Sequence, residues 1–217
     1  MSPDLSGPDG WRRGSFGSPV CRYTAGVEAP HSSRSAQSAG TSGVRAGTIW
    51  LVGMMGSGKT SVGKSLAERL ERVFVDSDQE VERVAGIRIA AIFAGEGEAG
   101  FRARERAAIE AVAGAPAVVS LGGGAVAQPG IAEMLASSGT IVYLRARPET
   151  LLRRVGAGET RPLLRGMSPV ARLSKIRSLL LERAKHYERA QVVIDTDLSD
   201  VETLADELAQ RLGGETA

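Results

Sequence analysis

The 217-residue chain has a single cysteine, Cys21, and no asparagine. One thiol excludes an internal disulfide framework and suits a reducing compartment. Without asparagine there can be no N-K-x-D guanine motif, which argues against a GTPase. Histidine occurs twice, at His31 and His186, too sparsely to build a metal cluster. No apolar run approaches the roughly 20 residues that a membrane helix needs. The start of the chain lacks the apolar stretch of about 7–15 residues found in secretory signals. A formal charge of +2 provides no basic field for nucleic acid. No RNA-recognition, zinc-finger or helix-turn-helix signature accompanies it. The expectation is a soluble, cytoplasmic protein with no nucleic-acid or membrane partner. Hydrophobic residues make up 42% of the chain, enough for the core of one domain with a segment to spare.

The spare segment is at the front. Residues 1–47 contain nine Ser, eight Gly and four Pro and show no sustained periodicity. Such a stretch cannot bury enough apolar surface to offset its ordering entropy, so it reads as a disordered tail. Its five arginines and three acids carry the whole net charge, and the rest of the chain, residues 48–217, is neutral, with the domain itself expected over 48–213. Composition favours a solvated extension, or the product of an upstream start codon, over an organelle-targeting peptide. Acidic residues and the lack of an amphipathic Arg-rich helix count against targeting.

What is present is a phosphate-binding loop. Gly53-Met54-Met55-Gly56-Ser57-Gly58-Lys59-Thr60 fits G-x-x-x-x-G-K-[ST]. It follows an apolar strand, residues 48–52, and precedes an amphipathic helix, the context this motif requires. Glycines let the backbone turn several N–H groups toward one point, and the helix start adds its positive dipole end. Lys59 can reach the outer phosphates and Thr60 can ligate Mg²⁺. The methionine pair reads as packing.

Downstream, strands are expected at 73–75, 117–120, 140–144 and 191–194. Helices are expected at 60–72, 79–85, 88–94, 98–113, 130–137, 148–155, 169–187 and 200–212, with a polar loop over 156–167. Apolar strands alternating with helices predict an α/β fold: a three-layer α/β/α sandwich around a five-stranded parallel sheet. Ligands in such folds collect beyond the carboxyl ends of the strands. The phosphate loop, the Asp76/Asp78 pair and the glycines at 122–124 all fall on that edge.

Asp76 and Asp78 follow the second strand, and a period of two points both to one face. One carboxylate can serve Mg²⁺, and the other can accept a substrate hydroxyl's proton. Ser77 or Asp78 can also cap the next helix. In Phe101-Arg102-Ala103-Arg104-Glu105, Arg102 offers a planar guanidinium to a substrate carboxylate. Gly122-Gly123-Gly124 can present backbone N–H groups at close range. Arg161, in Thr160-Arg161-Pro162-Leu163-Leu164-Arg165, suits a lid that excludes water and neutralises the phosphoryl group. Arg183 lies on the long helix, where a solvated face is the plain alternative.

Taken in order, GMMGSGKT, DSD (76–78), FRARE (101–105), SLGGGAV (120–126), RPLL (161–164) and LERAKHYERA (181–190) resemble the shikimate kinase family over residues 48 to 212. The resemblance implies a P-loop NTPase of the nucleoside-monophosphate-kinase type. It also implies ATP-dependent, Mg²⁺-requiring phosphorylation of the 3-hydroxyl of shikimate by a monomer. Gly56, Ser57, Gly58, Lys59, Thr60 and Ser61 would hold the ATP phosphates, with Lys59 on the transferred group. Thr60 and Asp76 would serve the metal. Asp78 would bind the substrate hydroxyls and act as base. Arg102 and Arg183 would hold the substrate carboxylate, with Gly123 donating from its backbone. Arg161 would close on the phosphates, and Arg154 would stack on adenine. Residues 195–198 leave the other adenine contact open. Other readings are a kinase for another hydroxy acid, such as gluconate, and a nucleotide-binding regulator.

Overall fold

A computed structural model describes residues 47–156 and 162–213. The tail, apart from Gly47, lies outside the described residues, as do Thr160 and Arg161. Five parallel strands form one sheet: β1 (Thr48–Val52), β2 (Val73–Asp76), β3 (Ala117–Ser120), β4 (Gly139–Arg145) and β5 (Val192–Asp195). Their spatial order is β2-β3-β1-β4-β5. β1 is central, with Trp50 opposite Val119 on one side and Ile141 on the other.

Every residue of β1 is buried, so its apolar run is continuous rather than alternating with polar residues. The side chains still alternate in direction. Trp50 and Val52 join one core layer with Val119, Ile109, Leu135 and Tyr187. Ile49 and Leu51 join the other with Val118, Val142, Leu66 and Leu208. The first layer lies under α3 (Ile89–Val112), α4 (Ile131–Ser138) and α6 (Pro169–Tyr187), and the second under α1 (Lys59–Arg69) and α7 (Val201–Gly213). Truncating Leu51, which is 0% exposed, to alanine would cost about 2–5 kcal/mol.

Sequence rules account for the ends of most elements. Pro148 opens α5 (Pro148–Val155) and Pro169 opens α6, where the missing N–H costs nothing. Ser168 caps α6 by accepting from the Ala171 N–H at 3.3 Å. The two helices expected at 88–94 and 98–113 are both present, as the two halves of α3. That element is broken in backbone geometry at Gly97 (φ 68°, ψ −171°), a conformation confined to glycine. Short 3-10 turns at Ala125–Ala127 and Pro162–Leu164 were not expected.

Two local expectations are corrected. β2 ends at Asp76, and Asp78 already lies in the first turn of α2 (Ser77–Ala85). Strand periodicity therefore does not set their common direction. Nor do Ser77 or Asp78 cap α2. Asp76 does, its Oδ1 accepting from the N–H groups of Asp78 (3.1 Å) and Gln79 (3.4 Å). A residue still in the extended region has the geometry an N-cap needs.

Candidate active site

A cleft of about 540 Å³ opens at the carboxyl edge of the sheet, where parallel α/β folds bind ligands. It is lined by the phosphate loop from Met55 to Val62, by Asp76 and Asp78, by residues 120–123, and at its far end by Arg154, Thr196 and Asp200.

The loop is made by backbone geometry. Gly53 has φ +145°, and a Cβ there would lie 2.6 Å from the Leu144 carbonyl oxygen. Gly58, at φ 97°, starts α1 with no side-chain cap. The first-turn N–H groups of α1 are left for a ligand, the usual anion site at a helix start. Lys59 Nζ donates to the carbonyls of Gly53 (2.8 Å) and Met54 (3.1 Å). Thr60 Oγ1 lies 3.2 Å from Asp76 Oδ2. Asp76 thus splits its duties, with one oxygen on the helix start and the other turned to Thr60. A hydroxyl and a carboxylate oxygen side by side at a phosphate loop are the hard oxygen donors that Mg²⁺ takes. Among the described residues, no group of three His, Cys, Asp or Glu forms an all-protein metal site.

The glycines at 122–124 have the opposite logic, because what they lack is filled by others. A Cβ on Gly122 would fall 2.8 Å from Asp78 Oδ1 and 2.6 Å from Glu105 Oε1. On Gly123 it would fall 3.1 Å from Arg183 Nη1, and on Gly124 3.0 Å from Arg102 Nη2. Each glycine therefore backs onto one of the charged residues expected to grip the substrate. Arg102 and Arg183 do not line the cleft itself: Arg183 adjoins it at Gly123, and Arg102 sits one residue further on, at Gly124.

Several residues that sequence reasoning missed hold this arrangement. Glu105 lies three residues beyond Arg102, on the same helical face, and that spacing was the available signal. Its side chain is 1% exposed, and its Oε2 accepts from Arg102 Nη1 at 2.6 Å and from Gln128 Nε2 at 2.7 Å. Burial pushes its carboxyl above the ordinary value, against the hydrogen bond and charge of Arg102, and Asp78 adds like-charge repulsion. The Tyr187 hydroxyl donates to the Gly123 carbonyl at 2.6 Å. Burial pushes that phenol up to about 12, against the charge of Arg183, so it stays a donor. At the far end, Arg154 donates to Thr196 Oγ1 at 2.9 Å, to the Thr196 carbonyl, and to the Gly56 carbonyl at 3.5 Å. Thr196, 0% exposed, falls in the 195–198 segment whose nucleotide contact the sequence left open.

Of the residues expected from sequence, the structure brings together Gly56, Ser57, Gly58, Lys59, Thr60, Ser61, Asp76, Asp78, Gly123 and Arg154 around one cleft. Arg102 and Arg183 stand at its glycine floor.

The profile of the shikimate kinase family matches residues 55–213. A shikimate kinase from Chromobacterium violaceum is 44% identical over 169 residues, covering 77% of this chain and 90% of that protein. One from Symbiobacterium thermophilum is 46% identical over 168 residues, covering 76% and 95%. The structure of a shikimate kinase from Acinetobacter baumannii in complex with shikimate superposes with a TM-score of 0.73 at 40% identity, covering 80% of this chain and 97% of that one. Motif order, strand order, site geometry and relatedness converge: the chain belongs to the shikimate kinase family.

Proposed function

We propose that the cleft transfers the γ-phosphoryl group of ATP to the 3-hydroxyl of shikimate, giving shikimate 3-phosphate on the route to chorismate and the aromatic amino acids. Residues 48–213 form the kinase domain. In this reading the triphosphate lies on the amides of residues 56–61 and the α1 start, and Lys59 turns from the loop carbonyls to the transferred group. Arg154, its head tied down by Thr196, offers a flat face to adenine. Arg102 and Arg183 hold the shikimate carboxylate, and the Gly123 amide meets the ring. Asp78 accepts the proton as the substrate oxygen bonds to the γ-phosphorus. The β–γ bridging bond breaks and its electron pair leaves with ADP. Thr60 and Asp76 would hold Mg²⁺, which supplies charge neutralisation on the phosphates when bound. Arg161, outside the described residues, is assigned to the phosphates by motif alone.

The observation that carries the reading is the glycine floor, where Asp78, Arg183 and Arg102 each approach one glycine beside the phosphate loop. An acid and two guanidiniums in so small a space match a small anionic alcohol better than a nucleotide acceptor. The related Acinetobacter enzyme was solved with shikimate. Among the described residues, no helix is long and apolar enough to cross a membrane.

The test is incubation with ATP, Mg²⁺ and a panel of acceptors, following ADP release and product mass. Shikimate alone should turn over. Turnover of gluconate without shikimate would reject the substrate, and ATP binding with every acceptor unmodified would favour a regulator.

A further inference from the structure

We infer that Met54 is a positioning residue for Arg183, and that its sulfur sets how firmly the substrate carboxylate is held. The inference rests on the shikimate reading above.

Arg183 is a buried cation, 9% exposed. Arg102 is paired with Glu98 and Glu105. Arg183, by contrast, has no carboxylate within ion-pair distance among the described residues. Its Nη1 donates to Met54 Sδ at 3.8 Å, and both it and the Tyr187 hydroxyl lie beside Gly123. A thioether is a soft, weak acceptor. It can orient a guanidinium without neutralising it, so apart from a longer-range attraction to Glu105 the charge stays available to an incoming anion. A carboxylate in that place would compete with the substrate instead.

Met54 itself is immobilised. It is 1% exposed and clusters with Leu151, Leu164, Ile176 and Leu179. Its carbonyl accepts from Lys59. The neighbouring Gly53 oxygen lies 3.5 Å from the point where a Gly123 Cβ would sit, the same point that Arg183 approaches. One dipeptide therefore meets the phosphate lysine through its carbonyls and the carboxylate arginine through a side chain. The loop motif accepts any residue at position 54, so the motif does not account for a sulfur there. Arg183 does.

Met54→Leu keeps volume and burial and removes the acceptor. Wild type, M54L, R183K and the double variant are assayed against shikimate and ATP. M54L should raise KM for shikimate about three- to tenfold, the scale of one ordinary net hydrogen bond, since a thioether accepts too weakly for the full charged-group value. Its kcat and KM for ATP should stay within about twofold of wild type. In the R183K background, M54L should add nothing, because the lysine ammonium lacks the guanidinium's reach to the sulfur. An unchanged shikimate KM, the same increase in the R183K background, or an equal rise in KM for ATP would overturn the inference. If M54L does not fold, wild-type protein with ¹³C-methyl methionine serves instead, the Met54 resonance being assigned by elimination with variants of the other methionines. That resonance should shift on saturation with shikimate alone, and a static one would overturn the proposal. Absence of shikimate turnover by the wild type is a separate result, which rejects the substrate reading itself.

Discussion

Gly122→Ala adds one methyl group at the most crowded point of the site. The new Cβ would lie 2.6 Å from Glu105 Oε1 and 2.8 Å from Asp78 Oδ1, where ordinary contact begins at 3.4 Å. Both carboxylates must therefore retreat by about half an ångström or more, or the floor must sink. Glu105 cannot yield freely, since its other oxygen is held at 2.6 Å by Arg102 and 2.7 Å by Gln128. The displacement passes to Asp78 and Arg102. A misplacement of 1 Å costs about 10²-fold in rate, so kcat/KM for shikimate should fall about 10- to 100-fold. Overpacking should also cost about 1–3 kcal/mol of stability. The backbone is not at issue, because Gly122 has no positive φ, and its N–H can still donate to Ser77 Oγ, now at 3.0 Å. Coupled detection of ADP gives the rate, calorimetry gives ATP affinity, and urea unfolding gives the stability. The reasoning fails if G122A keeps kcat/KM within about twofold of wild type, or if ATP affinity falls in step.

Three further outcomes are expected. Asp78→Asn should cut kcat by about 10²-fold or more, the usual share of a general base, with ATP binding retained by calorimetry; near-normal turnover would remove Asp78 from the base role. The Glu105 carboxyl is raised in the folded chain, so that chain holds the proton more tightly than the unfolded one. This contribution to stability is full below the ordinary carboxylate value and is lost as pH rises through the folded value; Glu105→Gln should flatten that part of a pH–stability curve, and an unchanged slope would refute the assignment. Gly95→Ala, inside α3 with nothing within 4 Å of the new Cβ, should stabilise by about 0.5–1 kcal/mol in urea at unchanged activity, and a loss would show that position 95 needs glycine.

The parts of the molecule legible in the sequence are those written in consecutive residues. The phosphate loop, the fully buried β1, the prolines that open α5 and α6 and the break near Gly97 all follow from local spacing or from one residue's backbone freedom. The glycines at 122–124 were legible as a ligand floor but not as a floor backed by Asp78, Glu105, Arg183 and Arg102. The supporting contacts were hidden for the same reason. Tyr187 meets Gly123 across 64 positions, Arg154 meets Thr196 across 42, and Glu105 meets Gln128 across 23. No periodicity records a bond between elements that meet only after the sheet is assembled. Asp76 shows the reverse error. A strand rule was carried two residues past the end of β2, and the cap was assigned one or two residues late.

The central position of β1 bears on how the protein is made. Both of its neighbours, β3 and β4, lie far downstream, and chain synthesis proceeds at about 5–20 residues per second. A ribosome-bound chain exposes this wholly apolar-facing strand with both edges bare until residue 120 has emerged, and with one edge bare until residue 145 has. Nucleotide cannot rescue it sooner, because the loop it would bind hangs from that same strand. The nascent protein is therefore most exposed to chaperones and to aggregation while β1 waits for its partners.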